Sequence, residues 1–187
     1  MTTVQERQAL SVNLPARPLT LDDVAKLADA DDVHRYELDG GRLIVMPPPT
    51  NDHQELISAF TFWFMLHGRG PKHVLGAVGV RTVYGANGRC PDLVVLRESA
   101  PRGTVWIDPA LVLLAIEVVS PSSKTDDRLA KPAEYAAAGI PHFWRVDNDA
   151  AGATVHQFRR GEGDPTYHLG QVVSMEKLLA GEPPQLG

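Results

Sequence analysis

The sequence predicts a mixed α/β domain in which helices cover a β-sheet on both faces. Residues 111 to 119 form an apolar run with apolar side chains at both odd and even positions, which is typical of a central strand buried on both faces. Helical patterns over residues 51 to 67 and 126 to 138 alternate with strand-like runs. The chain has 187 residues, 43% of them hydrophobic, which is enough for one core. We therefore expect a single domain over residues 19 to 187 after a flexible leader over residues 1 to 18.

The N-terminal half of the chain carries the signals of two helices and one hairpin. Thr20 followed by Asp23 resembles a capping box, which predicts the start of a short first helix. Two strand-like runs flank residues 39 to 41, where the sequence Asp-Gly-Gly predicts a tight hairpin turn. The second helix can be capped by Thr50 or Asn51, and its later residues are almost all apolar, so we expect it to be buried.

The C-terminal half predicts most strands of the sheet and a third helix. Strands are expected over residues 73 to 84 and 91 to 97, with a turn-rich segment at 85 to 88 between them. The third helix is expected to stop at Gly139, and the next strand begins at His142. Two edge strands and a short helix are expected to follow, over residues 153 to 160, 166 to 173 and 174 to 180.

Composition and charge exclude several classes of protein. The net charge is -5, from 18 basic and 23 acidic residues, which argues against strong nonspecific binding to nucleic acid but permits local basic patches. The single cysteine, Cys90, excludes an internal disulfide. The apolar stretches fall well short of the about 20 residues that a bilayer span requires. The N-terminal residues lack the pattern of a secretory signal, so we expect a cytoplasmic protein without a membrane segment.

Two acidic residues lie in or beside apolar runs, where a carboxylate is costly. Asp92 starts one run, and Glu117 lies deep inside the run at residues 111 to 119. A buried ionised carboxylate must be paired, protonated or bound to a cation. A divalent metal ion is the simplest partner for both acids. A simpler interpretation of Asp92 is also open, because an aspartate that follows Pro91 fits an ordinary turn.

Arginines offer an alternative to a metal as partners for the acidic residues. Glu117 could pair with Arg81 or Arg145, either of which would offset the charge of a buried carboxylate. Glu37, on the first strand of the hairpin, could pair across that hairpin with Arg42. The residues alone leave both alternatives open.

An ordered set of motifs gives the chain a resemblance to a known family. The motifs extend from roughly residue 20 to residue 175. They are Tyr36-Glu37-Leu38-x-Gly40-Gly41, His53, Pro91-Asp92, Glu117-Val118-Val119-Ser120-Pro121-Ser122, Asp127, Lys131, Tyr135, Gly139 and Trp144-Arg145-Val146-Asp147. In this order they resemble the Uma-type family of putative restriction endonucleases, which is placed in the PD-(D/E)XK nuclease superfamily. The resemblance implies a restriction-endonuclease-like fold, a mixed sheet core flanked by helices.

The resemblance also implies a metal-dependent endonuclease that acts on DNA. Asp92 and Glu117 would hold Mg²⁺ (or Mn²⁺) together with the backbone carbonyl of Val118, since hard oxygen ligands suit this cation. The cation would lower the pKa of water and offset charge on the phosphate. Glu37 matches an early acidic residue that binds a second ion or orients water. A homodimer is expected, because two sites are often needed to cut two strands.

The chain departs from the superfamily pattern at the lysine. Val119 occupies the position two residues after Glu117 where the lysine of the E-x-K motif is expected. The resemblance implies that Lys131, on the following helix, takes its place, and Lys124 is a second candidate. Pro132 inside this helix could kink it and redirect Lys131.

Tyr135 and His53 are accessory candidates in addition to Lys124. Asp127 and Tyr135 lie four residues before and after Lys131 on one helix face, so Tyr135 could stand beside Lys131 near the acids. Asp127 and Lys131 at this spacing are also typical of a solvated ion pair. His53 lies in the first turn of the second helix, where an exposed polar residue is usual, and its match to the family pattern suggests a role at the site.

Two main classes of function follow. The first is a metal-dependent phosphodiesterase acting on DNA, with Asp92 and Glu117 as metal ligands, Glu37 as an auxiliary acid and Lys131 as the positioning or electrostatic residue. The second is a catalytically degenerate module of the same fold that binds nucleic acid or protein, which the missing E-x-K lysine and the acidic net charge favour. A third and weaker class is hydrolysis of another phosphate ester or a nucleotide.

Overall fold

The fold is known from a computed structural model that describes residues 14–31, 34–82, 87–120 and 126–186. Within these residues the chain forms two mixed sheets and four α-helices, which confirms the predicted mixed α/β class. The helices are α1 (Leu21–Asp29), α2 (Asn51–Leu66), α3 (Lys131–Ala137) and α4 (Met175–Leu179). The strands are β1 (Arg35–Asp39), β2 (Arg42–Met46), β3 (Val74–Gly76), β4 (Gly79–Thr82), β5 (Asn87–Arg89), β6 (Leu93–Leu96), β7 (Trp106–Ile107), β8 (Val112–Val118), β9 (His142–Asp149), β10 (Gly152–Arg160) and β11 (Tyr167–Ser174).

Each sheet combines antiparallel pairs with one parallel pair. The larger sheet has the strand order β11-β10-β9-β8-β6-β3, and β8 and β9 are its parallel neighbours. The smaller sheet has the order β2-β1-β5-β4-β7, with β4 and β7 parallel. Helix α1 packs on β1 of the smaller sheet, where Val24 and Leu38 are buried in the same cluster. The larger sheet carries the main core, and Asp92 and Glu117 lie at its strands β6 and β8.

Strand β8 is the central strand that the sequence predicts. All seven of its residues are buried. Helix α2 covers one face of the larger sheet, where the rings of Phe60 and Phe64 lie 6.1 and 6.0 Å from the ring of Trp144. Helix α3 covers the other face, where Tyr135 packs on Phe143 with ring centroids 5.9 Å apart. Both faces of the sheet are therefore dry around β8, and any charge placed there needs a partner inside the protein.

The α2 face is expected to dominate the stability of the domain. Replacement of Phe60, which is fully buried, by alanine should lower the free energy of unfolding by about 3–5 kcal/mol, because it leaves a cavity beside Trp144. Phe62 of the same helix is 69% exposed and provides a matched control, for which the loss should stay within about 0.5 kcal/mol. Urea denaturation of both variants measures the difference, and equal losses would contradict this account of the core.

The hairpin and the C-terminal elements confirm their predictions, whereas the predicted strand over residues 73 to 84 is divided. Gly40 and Gly41 turn the β1–β2 hairpin with φ angles of 55° and 80°. Ala77, with a φ angle of 52°, separates β3 from β4. Residues 85 and 86 of the turn expected at residues 85 to 88 lie outside the described residues, whereas Asn87 and Gly88 belong to β5. Strand β7 has only two residues, which is too short for a periodic pattern.

Helix α3 starts later than predicted, and this start explains how Pro132 is accommodated. Residues Asp126–Ala130 form a π-helical turn, and the α-helix begins at Lys131, which places Pro132 in its first turn. Proline is tolerated there because a first-turn N–H has no partner within an α-helix. Lys131 is 3% exposed, so the expectation that Pro132 redirects it is wrong.

The predicted leader lies mostly outside the residues that the structure describes. Residues 1 to 13 of the expected leader lie outside the described residues, so the boundary at residue 19 stays a prediction. No helix within the described ranges combines the length and the apolar character needed to cross a membrane.

Candidate active site

The two acidic residues that stand out in the sequence line one cleft. Asp92 directly precedes β6 and Glu117 is the next-to-last residue of β8, and these strands are neighbours, with Leu93 opposite Ile116. The cleft has a volume of about 410 Å³. Its lining includes the apolar residues 46 to 49, which are the last residue of β2 and the three prolines after it. The carboxylates therefore meet on one side of the sheet, in a partly apolar recess large enough for a small ligand.

Glu117 is held by a lysine and a tyrosine from α3. The Tyr135 hydroxyl donates to Oε1 at 2.6 Å, and the Lys131 ammonium donates to Oε2 at 3.1 Å. Glu117 thus pairs with Lys131, and the alternative pairing with Arg81 or Arg145 is wrong. Burial raises the pKa of Glu117 well above its usual range, and Lys131 only partly opposes this.

Lys131 lies at the centre of a cluster of buried carboxylates. Besides Glu117, its Nζ is 3.0 Å from Oδ1 of Asp127 and 3.6 Å from Oε1 of Glu37. Burial alone would lower the pKa of Lys131, but these three carboxylates outweigh it and hold the pKa above its ordinary value. The side chains of Lys131 and Asp127 are 4% and 1% exposed, so the interpretation as a solvated ion pair is wrong. The ammonium therefore stays charged inside the protein.

Asp92 contacts three groups, which are a histidine, an arginine and a backbone N–H. His53 Nε2 and Arg35 Nη1 lie 3.0 and 3.5 Å from Oδ1. The backbone N–H of Val118 donates to Oδ2 at 2.9 Å. Burial raises the pKa of Asp92, but the His53 contact and the Val118 hydrogen bond more than offset it, so the pKa lies below its usual value. Asp92 is thus more than a turn residue, and His53 faces the cleft with its side chain only 14% exposed.

Glu37 belongs to a buried network behind the cleft and does not line the cleft itself. It is 2% exposed, its Oε2 accepts from Arg89 at 3.3 Å and its Oε1 accepts from the Cys90 N–H at 3.0 Å. The alternative pairing of Glu37 with Arg42 is wrong, because Arg42 lies opposite Asp39 in the hairpin. Arg89 also donates to Glu134 on α3, with Nε at 3.0 Å. Glu37 therefore reaches the site through its 3.6 Å contact with Lys131.

Several residues of the site escape the sequence analysis. Arg35, Arg89, Cys90 and Glu134 carry no strong signal of their own, although Arg89 stands three residues before Asp92 and Glu134 three residues after Lys131. Burial, and then the charge of Glu37, raises the pKa of Cys90 to about 12, so this thiol stays protonated. Lys124, the second lysine candidate, lies outside the described residues, and its role stays a prediction.

The donor set of the cleft fits a hard divalent cation. Four acidic and two basic side chains line the cleft, so negative charge is in excess when His53 is neutral: Asp52, Asp92, Glu117, Asp127, Arg35 and Lys131. No group of three His, Cys, Asp or Glu side chains within the described ranges is arranged to hold a metal by itself. Mg²⁺ does not need such a cage, because it is usually bound by one or two carboxylates and keeps several waters. Asp92, Glu117 and the Val118 carbonyl match that smaller donor set.

The fold and the cleft define a restriction-endonuclease-like protein, and comparisons with known proteins agree. The chain belongs to the Uma2 family, described as "putative restriction endonuclease", whose family model matches residues 21–185. A crystal structure of a putative nuclease belonging to DUF820 from Anabaena variabilis superposes with a TM-score of 0.64 at 17% identity. The match covers 87% of this chain and 98% of that one, and at this identity it shows the shared fold. No curated protein matches the sequence.

Proposed function

We propose that this protein is a metal-dependent endonuclease that hydrolyses phosphodiester bonds in DNA at the acidic cleft. One observation carries the proposal. Glu117, which shares the cleft with Asp92, lies 3.1 Å from a buried, charged Lys131. The helix α3 thus supplies the amine that the strand lacks at Val119. The three functional groups of a PD-(D/E)XK centre come together although the lysine is displaced by twelve positions in the sequence, from 119 to 131.

The acids would bind the cofactor, and the neighbouring groups would fix the acids. Asp92, Glu117 and the Val118 carbonyl would hold Mg²⁺ or Mn²⁺, which lowers the pKa of water and offsets negative charge on the phosphate. Tyr135 holds Oε1 of Glu117, and the Val118 N–H holds Oδ2 of Asp92. Because these partners are buried, both carboxylates are oriented before a substrate arrives.

Positive side chains at the cleft would contact the substrate phosphate. Lys131 and Arg35 both line the cleft, and each already contacts one of the two acids. An ammonium or guanidinium fixed in this way can stabilise the charge that develops on a phosphate during attack without further reorganisation. The predicted homodimer would present two such clefts to the two strands of a duplex.

A plasmid-nicking assay tests the proposal. The wild-type protein is expected to convert supercoiled plasmid to open circles with Mg²⁺ or Mn²⁺, and to be inactive with EDTA. The nicking rate of Asp92→Asn should be at least about 100-fold lower than that of the wild type. Loss of a metal ligand has a larger effect than loss of a residue that only positions a ligand. Asp22→Asn, an exposed aspartate in the first turn of α1, serves as the matched control and should keep the wild-type rate. Nicking that persists in EDTA, or in Asp92→Asn, would refute the assignment.

A second candidate function is that of a catalytically silent module that binds nucleic acid. The observation that favours it is that Lys131 contacts three carboxylates and offsets part of their charge, which reduces their demand for a metal ion. The same plasmid experiment separates the two. A silent module would retard DNA in a gel without nicking it under any metal condition, whereas the proposed endonuclease would nick it.

A further inference from the structure

Another pocket lies at the opposite end of the larger sheet from the acidic cleft. His142, the first residue of β9, pairs with Arg159 near the end of β10. Glu117 in the cleft pairs instead with Arg145, three residues further along β9. At about 3.3 Å per residue, the two levels are about 10 Å apart along the strand. The pocket has a volume of about 1050 Å³. Its charged and titratable lining residues are Arg97, Arg159, Arg160, His142, His168 and Glu162.

The pocket is positively charged in a chain whose net charge is -5. Three arginines face one glutamate, so positive charge is in excess even when both histidines are neutral. Five other arginines, Arg17, Arg35, Arg89, Arg128 and Arg145, are paired with carboxylates. None of the three pocket arginines forms an ion pair with any residue that the structure describes. The pocket is thus a local concentration of uncompensated cationic groups.

Arg160 provides an independent sign that a ligand is missing. Its Nε is buried, and within the described part of the chain it has no hydrogen-bond partner. The backbone of Arg160 is fixed by a hydrogen bond from its N–H to the Pro141 carbonyl at 2.9 Å. A buried donor without an acceptor costs free energy, and the cost is larger for a charged group. An anion in the pocket would supply the acceptor.

His142 also lines this pocket, beside the arginines. Burial lowers the pKa of His142, and the nearby positive charge of Arg159 lowers it further. A neutral imidazole has one N–H, and the backbone carbonyl of Leu186 accepts it, so the donors for an anion come from the arginines. The pocket therefore combines fixed positive charge with a polar group that need not be charged.

We propose that this pocket binds a phosphate-bearing anion, with Arg159 and Arg160 as its main donors. The planar guanidinium group donates paired hydrogen bonds that match the oxygens of a phosphate. The volume of about 1050 Å³ leaves room for a molecule larger than a single phosphate group. A free nucleotide and the backbone of a nucleic-acid strand present the same group. The site is separate from the acidic cleft and does not depend on the proposed nuclease activity.

Binding measurements in EDTA test the site without a contribution from metal at the cleft. Inorganic phosphate and deoxythymidine 5′-monophosphate are titrated by calorimetry, and a fluorescein-labelled single-stranded oligonucleotide by anisotropy. Arg159→Gln and Arg160→Gln should each bind about tenfold more weakly to any probe that the wild-type protein binds. This is the effect of losing one charge-assisted hydrogen bond. Arg102→Gln removes an exposed arginine outside the pocket and should change the affinity less than about twofold.

The outcomes distinguish a small phosphorylated molecule from a nucleic-acid backbone, and both of these from a pocket that binds no phosphate. If phosphate and the mononucleotide bind and both pocket variants weaken them, the ligand is a small phosphorylated molecule. If only the oligonucleotide binds and is weakened, the site holds a nucleic-acid backbone. Because Arg159 is exposed, its variant should fold normally and remains informative if Arg160→Gln does not. Absence of binding by all three probes, or equal affinities in wild type and Arg159→Gln, would overturn the proposal.

Discussion

Replacement of Glu117 by glutamine is expected to reduce DNA cleavage by at least about 100-fold while leaving the protein folded. Glutamine has nearly the same volume as glutamate and can still accept the hydrogen bond from Tyr135. In the wild-type protein the Tyr135 hydroxyl lies 2.6 Å from Oε1 of Glu117. The substitution removes the negative charge that a divalent cation requires. Initial rates of plasmid nicking with Mg²⁺ measure the effect.

The stability of this variant distinguishes loss of function from loss of structure. Burial raises the pKa of Glu117, so the charged form is costly and a neutral side chain is tolerated. The free energy of unfolding should therefore fall by less than the about 3–5 kcal/mol that an unpaired buried charge costs, because Lys131 keeps Asp127 and Glu37 as partners. Glu176→Gln, at an exposed position in the first turn of α4, is the matched control and should affect neither quantity. Cleavage by Glu117→Gln at the wild-type rate would exclude Glu117 from the active site.

Replacement of Lys131 by methionine is expected to impair both stability and cleavage. Methionine keeps much of the alkyl chain but removes the ammonium shared by Glu37, Glu117 and Asp127. Removal of one partner from a buried charge network costs about 3–5 kcal/mol, because the remaining charges stay buried without compensation. Cleavage should fall by about 100-fold or more as the positive charge at the phosphate is lost. Urea denaturation and plasmid nicking measure the two effects.

A matched variant and a double variant make this second prediction specific. Lys177, an exposed lysine in α4, can be replaced by methionine without a comparable effect on either quantity. The Glu117→Gln substitution should recover part of the stability lost in Lys131→Met, since it removes one of the uncompensated charges. Wild-type stability of Lys131→Met would contradict the buried ammonium at the centre of the cluster.

The sequence predicts the central strand and its acid because both signals are local. Residues 111 to 119 show neither the two-residue alternation of a half-exposed strand nor the period of an amphipathic helix. An apolar run of this kind is typical of a central strand in a sheet that is covered on both faces. Glu117 inside this run is conspicuous for the same reason. The partner of Glu117 is not a local property. It depends on how α3 packs on the sheet, which is why Lys131 could not be distinguished from Arg145 by charge alone.

Other parts of the site depend on contacts between distant segments. Arg89 lies in a strand of three residues, and its partners Glu37 and Glu134 are 52 and 45 residues away in sequence. No periodicity identifies such a network. The π-helical turn before α3 is also invisible in the sequence, although Asp127 and Lys131 at a spacing of four still meet at 3.0 Å across it.

Net charge conceals the electrostatic division of the molecule. The value of -5 argues against strong nonspecific binding of nucleic acid. The structure nevertheless concentrates arginines from distant segments, Arg97 and the pair Arg159 and Arg160, around one pocket, while the acids gather at the other end of the sheet. The overall charge is therefore a poor guide to what either end binds.

Titration of Mn²⁺ into the protein by isothermal calorimetry tests the proposed metal site in the cleft most directly. Wild type and the exposed control Asp22→Asn are predicted to bind Mn²⁺ equally well. Asp92→Asn is predicted to bind at least about tenfold more weakly, because it loses a charged ligand of the cation. Absence of binding to the wild-type protein, or an unchanged affinity in Asp92→Asn, would contradict the assignment of the cleft as a metal-dependent active site.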